Sequence, residues 1–544
     1  MTAVYRDHAF LGVTQSLCPE CFALVPAKIV ERGGRIYFQK RCREHGPRED
    51  FVCSDARWWD KLEYSLPGKV PVAFGVDDSR GPLRGCPYDC GLCTEHEQHT
   101  CIGIVEINSA CNLECPMCFA SSGPGGSHLS FDDCRRAIDR LVEVEGRPEI
   151  LQLSGGEPTI HPRFLDVWRY AVERPIDIVM INTNGVRLAN DRALVDALAE
   201  RRTRTEIYLQ FDGFADDGCR TLRGESLVET KLRAVERLGE AGLRTILVCT
   251  VQSGVNDGEL GAIVRYAVER PWITGVSLQP ACYVGRRVLP AEMTRRSTFP
   301  EAIRQVCEQT AGDGENAWRE SDFTPLPCAH PNAHTLAYAY RRKGRLLPLA
   351  RFVNLDEHLD LLSGRITFDR PRAKALIGEY LSRLACGGGD CGCAPPADFA
   401  ALSSSAGPPS PVPANEPRAL APGALQVLDS LEGRPRPAPS AQVAGQRFDE
   451  DDLAAEFFAR AVAEELAPED VFRITTTSFM DAYNFDVRQA MKECVHFVLP
   501  TGHVVPFSAY NLLYRTGRAP LPELRTAEAA EVAALAGAAP VMQA

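Results

Sequence analysis

Residues 102–119, IGIVEINSACNLECPMCF, place three cysteines directly after a short apolar segment. The apolar part, IGIVEI, has the composition of a buried β-strand, and Cys111, Cys115 and Cys118 follow it with C-x3-C-x2-C spacing. Three thiolates on one tight loop can each bind one iron of a cubane and leave the fourth iron without a protein ligand. The segment therefore predicts a [4Fe–4S] cluster whose open iron faces a catalytic site. A zinc-binding loop on an unrelated α/β enzyme is the alternative.

The chain from residue 102 to about residue 310 alternates short apolar runs with amphipathic helical stretches, which is typical of βα units and a parallel sheet. Six units predict an α/β fold with an open, partial (βα)6 TIM-like barrel, because a closed barrel has eight. The active site is expected at the carboxyl ends of the strands, and Ser130 is expected to cap the first helix. The predicted strands are 102–107, 149–154, 177–183, 205–211, 244–251 and 273–279.

The second predicted strand ends in SGGEP, which contains Gly155, Gly156 and Glu157. Two adjacent glycines let a ligand approach the backbone closely. Over residues 102–310, the cysteine loop and this strand end resemble the radical SAM superfamily. The resemblance implies a radical SAM barrel in which S-adenosylmethionine (SAM) binds the open iron. It also implies that the GGEP segment contacts the methionine amine and that Phe119 lies near the adenine.

Polar residues also end the third and fourth predicted strands. Asn182 and Asn184 lie in NTNG, and Gln210 and Asp212 lie in QFDG. The resemblance implies that these side chains lie near the ribose and methionine of SAM. Turn-forming residues with no ligand role are the alternative, and no individual catalytic residue is predicted.

A second C-x3-C-x2-C loop lies upstream, with Cys86, Cys90 and Cys93, and Cys101 follows it. Four thiolates close a cluster completely, so this group predicts an auxiliary [4Fe–4S] cluster for electron relay or substrate contact. Zinc is the alternative metal. Cys101 directly precedes the first barrel strand, so a core position is the alternative for that residue.

The N-terminal segment contains Cys18-Pro-Glu-Cys21 and Cys42-Arg-Glu-His45, separated by the strand-like IYFQKR. Two such knuckles predict a tetrahedral site for a mononuclear iron, as in a rubredoxin-like domain, or for zinc, as in a zinc ribbon. Cys53 is a possible substitute for His45.

Cysteines after the barrel predict a third cluster. The ligands would be Cys328 together with the glycine-rich group Cys386, Cys391 and Cys393. Cys494 is a competing ligand, and a flexible loop that carries thiols is the alternative.

The segment SFMDAYNFD contains Asp481, Tyr483, Asn484 and Asp486 and precedes an amphipathic stretch. Asn and Asp are ordinary helix caps, so capping is the first interpretation. Lining of the substrate cavity is the second, with Tyr483 as a residue that handles a radical.

The order of the motifs is more specific than the superfamily. LCPEC, CREHG, GCPYDCGLC, CNLECPMCF, LSGGEPT, PCAHP, SFMDAYNFD and PFSAYN follow one another along the chain. This order resembles the family that contains archaeal tetraether synthase and the 7,8-dihydro-6-hydroxymethylpterin dimethyltransferases. The chain departs from some relatives at Ala333, His334 and Ser508, where cysteine is expected.

The resemblance implies a radical SAM enzyme that functionalises an unactivated C–H bond, by C–C coupling or by alkylation of a lipid or small heterocycle. A methyltransferase that acts on a pterin-like substrate is the nearest alternative. A noncatalytic iron–sulfur electron carrier or redox sensor is an alternative from another class, and GGEP argues against it.

The composition bounds the partners and the compartment. The net charge of −12 over 544 residues disfavours binding to nucleic acid or anionic membranes. The 21 cysteines are clustered, which indicates metal coordination in a reducing compartment. There is no apolar run of transmembrane length. We therefore expect a cytoplasmic enzyme with a small-molecule or lipid substrate and a reductant such as ferredoxin or flavodoxin.

Six regions are predicted along the chain. Small Cys-rich metal-binding domains flank the barrel, and a Pro- and Ala-rich linker separates off the C-terminus. The regions are a rubredoxin-like or zinc-ribbon domain (1–60), an auxiliary Fe–S segment (61–101), the radical SAM core (102–320), a C-terminal Fe–S segment (321–393), a disordered linker (394–446) and a C-terminal domain (447–544).

Overall fold

The computed structural model describes most of the chain, which forms two compact units. One unit contains Met1–Phe368 and Ala467–Ala544, and the other contains Asp369–Leu466. The described residues are 7–66, 69, 84–93, 95–327, 329–355, 357–358, 370–385 and 447–524. Among them, no helix has both the length and the apolar character needed to cross a bilayer.

The N-terminal residues form a four-stranded antiparallel sheet in chain order. Gly33 and Gly34 connect the second and third strands with φ angles of 60° and 79°. A two-residue hairpin of this type needs positive φ at both positions, which glycine adopts without strain. The strands are β1 (Ala9–Leu17), β2 (Leu24–Arg32), β3 (Arg35–Cys42) and β4 (Gly46–Cys53).

The six predicted barrel strands are confirmed as a parallel series in chain order. Their apolar residues are buried on both faces, as expected where helices cover a parallel sheet. The strands are β5 (Ile102–Asn108), β6 (Ile150–Gly155), β7 (Ile178–Thr183), β8 (Thr205–Gln210), β9 (Arg244–Val251) and β10 (Ile273–Pro280). The helices are α1 (Phe131–Glu145), α2 (Phe164–Val172), α3 (Arg192–Ala199), α4 (Asp216–Arg223), α5 (Val228–Glu240), α6 (Leu260–Val268) and α7 (Phe299–Thr310).

Strands from the C-terminal region widen this sheet on both sides. A strand at 471–477 pairs in parallel with β10, and a strand at 495–498 pairs in parallel with β5. The predicted C-terminal domain at 447–544 thus contributes strands to the barrel sheet itself. The added elements are β11 (Thr324–Pro325), β12 (His334–Arg342), β13 (Arg345–Pro348), β14 (Val471–Thr477), β15 (Val495–Val498) and β16 (Val504–Pro506). Short helices follow at Val487–Met491 (α10) and Phe507–Ala509 (α11).

The two flanks of the wide sheet approach each other. The sheet order is β11-β12-β14-β10-β9-β8-β7-β6-β5-β15-β16, so β12 and β15 lie near opposite ends. Leu336 of β12 and Phe497 of β15 nevertheless belong to the same buried apolar cluster. The sheet therefore curves into a partial barrel, as predicted.

The second unit contains two described helices, α8 (Arg370–Ala385) and α9 (Arg447–Val462). Tyr380 stacks on Phe458 with ring centroids 6.0 Å apart, so the two helices pack together. Residues 386–446 lie outside the described residues. The predicted linker at 394–446 and the predicted ligands Cys386, Cys391 and Cys393 therefore lie outside them, as does Cys328.

Candidate active site

The loop that carries Cys111, Cys115 and Cys118 follows the carboxyl end of β5. The backbone amide of Cys111 donates to the carbonyl of Gly123 at 3.0 Å, which closes the loop on itself. Cys111 is 9% exposed, and the other two thiols are half-buried. Burial raises the pKa of Cys111 to about 11, so a bound metal must displace a proton from this thiol.

A glycine and an arginine beyond β10 hold this loop from the other side. The backbones of Cys118 and Arg286 exchange hydrogen bonds of 2.9 and 3.0 Å. The Arg286 guanidinium donates to the carbonyl of Cys115 at 2.9 Å and also reaches the carbonyl of Ser122. A Cβ on Gly285 would lie 2.4 Å from the carbonyl oxygen of Phe119. No motif marks these residues in the sequence, and the sequence analysis missed both.

The two glycines of GGEP pack against the end of β5. A Cβ on Gly155 would lie 2.2 Å from the carbonyl oxygen of Asn108, and one on Gly156 would lie 2.2 Å from that of Ala110. The amide of Gly156 donates to the Asn108 carbonyl at 3.0 Å. The glycines therefore make room for the chain itself, where the sequence analysis expected room for a ligand. This packing places the GGEP segment beside the cysteine loop.

Glu157 is fully buried and connects the second strand end to the third. Because hydrogen bonds occupy its carboxylate, Glu157 is a positioning residue, and any contact with SAM from this segment would come from its backbone. The donors are the Oγ1 of Thr159 at 2.5 Å, the Oγ1 of Thr183 at 2.8 Å, and the backbone amides of Thr159 at 3.1 Å and Asn184 at 2.7 Å.

The two predicted asparagines bridge neighbouring segments. The side-chain amide of Asn182 donates to Ser154 Oγ at 3.0 Å. The side-chain amide of Asn184 donates to Asn112 Oδ1 at 2.7 Å and lies 3.9 Å from the Cys111 sulfur. Asn184 thus links the end of β7 directly to the cysteine loop.

Asp212 lies at the end of β8 in a buried ion pair with Arg223 of α4, with Nε–Oδ2 and Nη2–Oδ1 distances of 2.7 and 2.8 Å. Lys231 of α5 donates to Gln210 Oε1 at 2.5 Å and also to the carbonyl of Asn184. Burial lowers the pKa of Lys231 to about 8. Two buried cations therefore lie beside the loop together with the carboxylates of Asp212 and Glu157, and Arg223 reaches the carbonyl of Met117 at 3.4 Å.

The sequence analysis missed both cations, although one signal was present. Lys231 recurs at helical spacing with Ala234, Val235 and Leu238, and all four side chains are buried. A lysine on the apolar face of a helix needs buried acceptors, and buried ionisable groups of this kind cluster at functional sites.

Phe119 packs against residues from the C-terminal part of the chain. Its ring lies 5.2 Å from the ring of Phe507, and the guanidinium of Arg515 lies 5.9 Å from its centroid. The predicted contact of Phe119 with the adenine of SAM stays a prediction.

Cys18, Cys21, Cys42 and His45 form the N-terminal metal group. Their ligand atoms all lie within 4.8 Å of one another, which suits a single metal ion. Cys53 does not join them, because it is buried at the end of β4 and its thiol donates to the carbonyl of Asp55 at 3.4 Å.

The upstream loop brings Cys86, Cys90 and Cys93 together, and the neighbouring Cys86 thiol, burial and Cys93 raise the pKa of Cys90. Cys101, the predicted fourth ligand, lies elsewhere. Parallel pairing of β5 with β15 places it beside Cys494, in a different apolar cluster from Cys90.

The SFMDAYNFD segment contacts residues that follow β10. Asp481 forms a buried ion pair with Arg296 at 2.7 Å and accepts the amide of Tyr283 at 3.1 Å. Asp486 caps α10 by accepting the amide of Arg488 at 3.0 Å, which confirms the capping interpretation for this residue.

Comparison with known proteins agrees with this geometry. The radical SAM superfamily model matches residues 105–267, and the model of the HMPTM N-terminal zinc ribbon domain matches residues 10–54. The 7,8-dihydro-6-hydroxymethylpterin dimethyltransferase of Methanocaldococcus jannaschii is 30% identical over 529 residues, which cover 92% of this chain and 94% of that enzyme. The chain belongs to the radical SAM superfamily, in the family of that enzyme.

Other proteins match a smaller part of the chain. The mycofactocin maturase MftC of Mycobacterium tuberculosis is 30% identical over 165 residues, or 30% of this chain and 40% of that protein. The crystal structure of Streptococcus suis SuiB bound to S-adenosylmethionine aligns with a TM-score of 0.32 and 15% identity, covering 40% of this chain and 49% of SuiB.

The residues present fit the cofactors of a radical SAM enzyme, a [4Fe–4S] cluster and SAM. The N-terminal group is the one described set of three or more ligand atoms that lies within 4.8 Å. At least one pair of sulfurs in the Cys111 loop is therefore more than 4.8 Å apart, a separation that a cubane can accept.

Proposed function

We propose that this radical SAM enzyme cleaves SAM reductively and alkylates an unactivated carbon of a small heterocycle of the pterin class. The observation that carries the proposal is the convergence of the three-cysteine loop with the polar ends of β6, β7 and β8. The name of the M. jannaschii relative, a pterin dimethyltransferase, supports methyl transfer over the coupling of lipid chains.

The cluster and SAM, when bound, supply a 5′-deoxyadenosyl radical that abstracts hydrogen. Cys111, Cys115 and Cys118 would hold the cluster. Arg286 fixes the loop by binding its carbonyls, and Asn184 ties it to β7. The protein contribution is therefore orientation of the loop relative to the strand ends.

Buried cations lie close to the cysteine loop. Arg223 and Lys231 are both buried, together with the carboxylates of Asp212 and Glu157. Burial raises the pKa of Cys115, and the charges of Arg223 and Lys231 oppose that rise, so they stabilise a thiolate at this position. This agrees with a site for a thiolate-ligated cluster.

SAM cleavage is the first test. Anaerobically reconstituted protein with dithionite should release 5′-deoxyadenosine, and Cys115→Ala should abolish the release. Cys307→Ser replaces a half-buried cysteine of α7 and should leave the release unchanged. Absence of SAM binding to the reduced wild-type protein would instead support a noncatalytic electron carrier.

Product analysis tests the reaction class. With a reduced pterin and SAM labelled in its methyl group, we expect a methylated pterin that contains the label. One SAM would be cleaved to methionine and 5′-deoxyadenosine, and a second SAM would donate the methyl group and leave as S-adenosylhomocysteine. A product in which two unlabelled substrate chains are joined by a C–C bond would contradict methyl transfer and support coupling.

A further inference from the structure

Lys40 of β3 joins the N-terminal sheet, β1–β4, to the SFMDAYNFD segment. Its side chain is fully buried, and its Nζ donates to the carbonyls of Ala482 at 3.0 Å and Tyr483 at 2.7 Å. The same atom donates to the carbonyl of Leu17 at 3.1 Å and lies 3.0 Å from Asp50 Oδ2. A lysine is buried only where such partners compensate its charge. Two of the four partners belong to one turn, 442 and 443 residues further along the chain.

Neutralising Asp50 is not the distinct contribution of Lys40. Arg48 already binds that carboxylate, with Nη2–Oδ1 and Nε–Oδ2 distances of 2.7 and 3.0 Å. Asp50 therefore keeps a cationic partner without Lys40. What Lys40 adds is a pair of hydrogen bonds from the N-terminal sheet to the carbonyls of the distant turn.

The turn that Lys40 binds places Tyr483 between the N-terminal sheet and the cysteine loop. On one side, the guanidinium of Arg48 lies 5.6 Å from the centroid of the Tyr483 ring. On the other side, Tyr483 packs against the buried apolar cluster that contains Met117 and Tyr283. Met117 is part of the three-cysteine loop. Because Tyr483 is only half-buried, part of its surface stays open beside that loop.

Asp481 fixes the same turn from the barrel side. Its Oδ1 accepts the amide of Tyr483 at 2.9 Å, and its Oδ2 accepts the amide of Tyr283 at 3.1 Å. The turn is thus held by the barrel through Asp481 and by the N-terminal sheet through Lys40. Hydrogen bonds from a supporting residue of this kind are what keep a site residue in one orientation.

We propose that Lys40 is a positioning residue, which holds Tyr483 as part of the wall of the substrate site beside the cysteine loop. The N-terminal sheet is therefore part of the active-site structure and not only the carrier of its own metal group. The inference rests on the proposed function, since it places a heterocyclic substrate against Tyr483. An aromatic ring suits contact with a flat heterocycle.

Displacement of Tyr483 should separate SAM cleavage from product formation. The substrate carbon would lie out of position, so 5′-deoxyadenosine would be released without methylated product. The quantity to measure is the amount of methylated pterin formed for each 5′-deoxyadenosine released. This ratio does not depend on how much of a variant is folded, so a loss of stability alone does not change it.

The test compares two variants of one buried pair in the full-length, anaerobically reconstituted protein. Lys40→Met removes the donors to the turn and keeps the apolar length of the side chain. Asp50→Asn removes the partner charge and leaves those donors in place. The ratio should fall about tenfold in Lys40→Met and stay within about twofold of wild type in Asp50→Asn. An unchanged ratio in Lys40→Met, or equal falls in both variants, would overturn the proposal.

A double variant tests whether Lys40 acts through Tyr483. Tyr483→Ala should lower the ratio as Lys40→Met does, and Tyr483→Phe, which keeps the ring, should restore most of that loss. Residues that act through one contact have non-additive effects, so Lys40→Met combined with Tyr483→Ala should lose no more than Tyr483→Ala alone. Losses that multiply in the double variant would show that the two residues act independently, against the proposal.

Hydrogen exchange provides a measurement that is independent of activity. Exchange of the amides in residues 480–486 should be faster in Lys40→Met than in wild type. If Lys40→Met fails to fold, Thr14→Val replaces it, because Thr14 Oγ1 of β1 donates to Asp486 of the same segment at 2.6 Å. If wild-type protein forms no methylated pterin, the proposed function fails, whereas unchanged exchange in these variants overturns the present inference alone.

Discussion

The N-terminal metal group and the active site use similar side chains but are encoded in the chain in different ways. The ligands of the N-terminal group lie on two turns of one small sheet, at positions 18–21 and 42–45. The active site draws on β5, β6, β7 and β8, on helices α4 and α5, and on Arg286 after β10. The N-terminal group can be predicted from residue spacing, whereas the active site depends on buried contacts between segments that are distant in the chain.

This difference predicts where a single substitution does most harm. In the N-terminal group, a ligand change should act on one metal ion and its turn. In the active site, removal of one charge leaves its partner buried without compensation, so the effect should spread through the barrel.

The largest effect is expected for Arg223→Met. The change leaves Asp212 buried without its bidentate partner, which should lower the free energy of unfolding by about 3–5 kcal/mol. Urea unfolding measures the loss. The control is Arg220→Met on the same helix, where the side chain is 54% exposed and the pair with Asp217 should contribute less than about 1 kcal/mol. If both variants lost the same free energy of unfolding, the buried Arg223–Asp212 pair would contribute no more to stability than an exposed pair.

Lys231 should give the site a pH dependence. The pKa of this lysine is 10.5 in the unfolded chain and about 8 in the folded protein. The unfolded chain therefore binds more protons between these values, and the free energy of unfolding should rise with pH across this window. Below pH 8 the penalty of burying the charge is fully present. At roughly 1.4 kcal/mol for each pKa unit, the rise totals about 3 kcal/mol.

The measurement compares wild type with Lys231→Met by urea unfolding at pH 7.5, 8.5 and 9.5. The stability difference should shift towards wild type as the pH rises. Lys28→Met, at an exposed position of β2, should show no such trend. A pH-independent difference for Lys231→Met would mean that the lysine titrates normally.

Sequence spacing predicted the parts of the molecule that depend on local periodicity. The six barrel strands were placed to within a residue or two, and Ser130 caps α1 by accepting the amide of Asp133 at 3.1 Å. The N-terminal ligands came from two knuckles. The strands β14 and β15, which flank the six barrel strands, were not recognised as part of this sheet, because each pairs with a strand far away in the chain.

The same reason explains the site residues that were missed. Arg286 donates hydrogen bonds to carbonyls of a loop that precedes it by more than 160 residues. No sequence motif links an arginine to backbone partners at such a distance. Cys101 was assigned to the nearest cysteines in sequence, whereas strand pairing places it beside Cys494. Residue spacing identifies ligands that lie on one loop, whereas strand register decides which residues from distant segments become neighbours.

Gly285→Ala should have a smaller effect on stability than the charge variants. A side chain at φ +61°, with its Cβ 2.4 Å from the Phe119 carbonyl, should lower the free energy of unfolding by about 1–3 kcal/mol and displace the cysteine loop. SAM cleavage should fall with it. The control is Gly312→Ala, where a Cβ meets nothing within 4 Å. Full SAM cleavage in Gly285→Ala would show that the loop does not depend on this contact.

The smallest effect is expected for His45→Cys. Tetrahedral metal sites accept cysteine or histidine at the same position, so the variant should keep one metal ion per N-terminal domain, with a stability change within about 1 kcal/mol. Metal analysis of the isolated, full-length protein checks this.

His45→Ala should instead weaken metal binding, because Cys53 is buried with its thiol bonded to the Asp55 carbonyl and cannot reach the site. If His45→Ala kept its metal at wild-type affinity, Cys53 would be replacing the lost ligand. The metal ligands would then not all come from the two local turns, and the N-terminal group would resemble the active site in drawing on residues outside one loop.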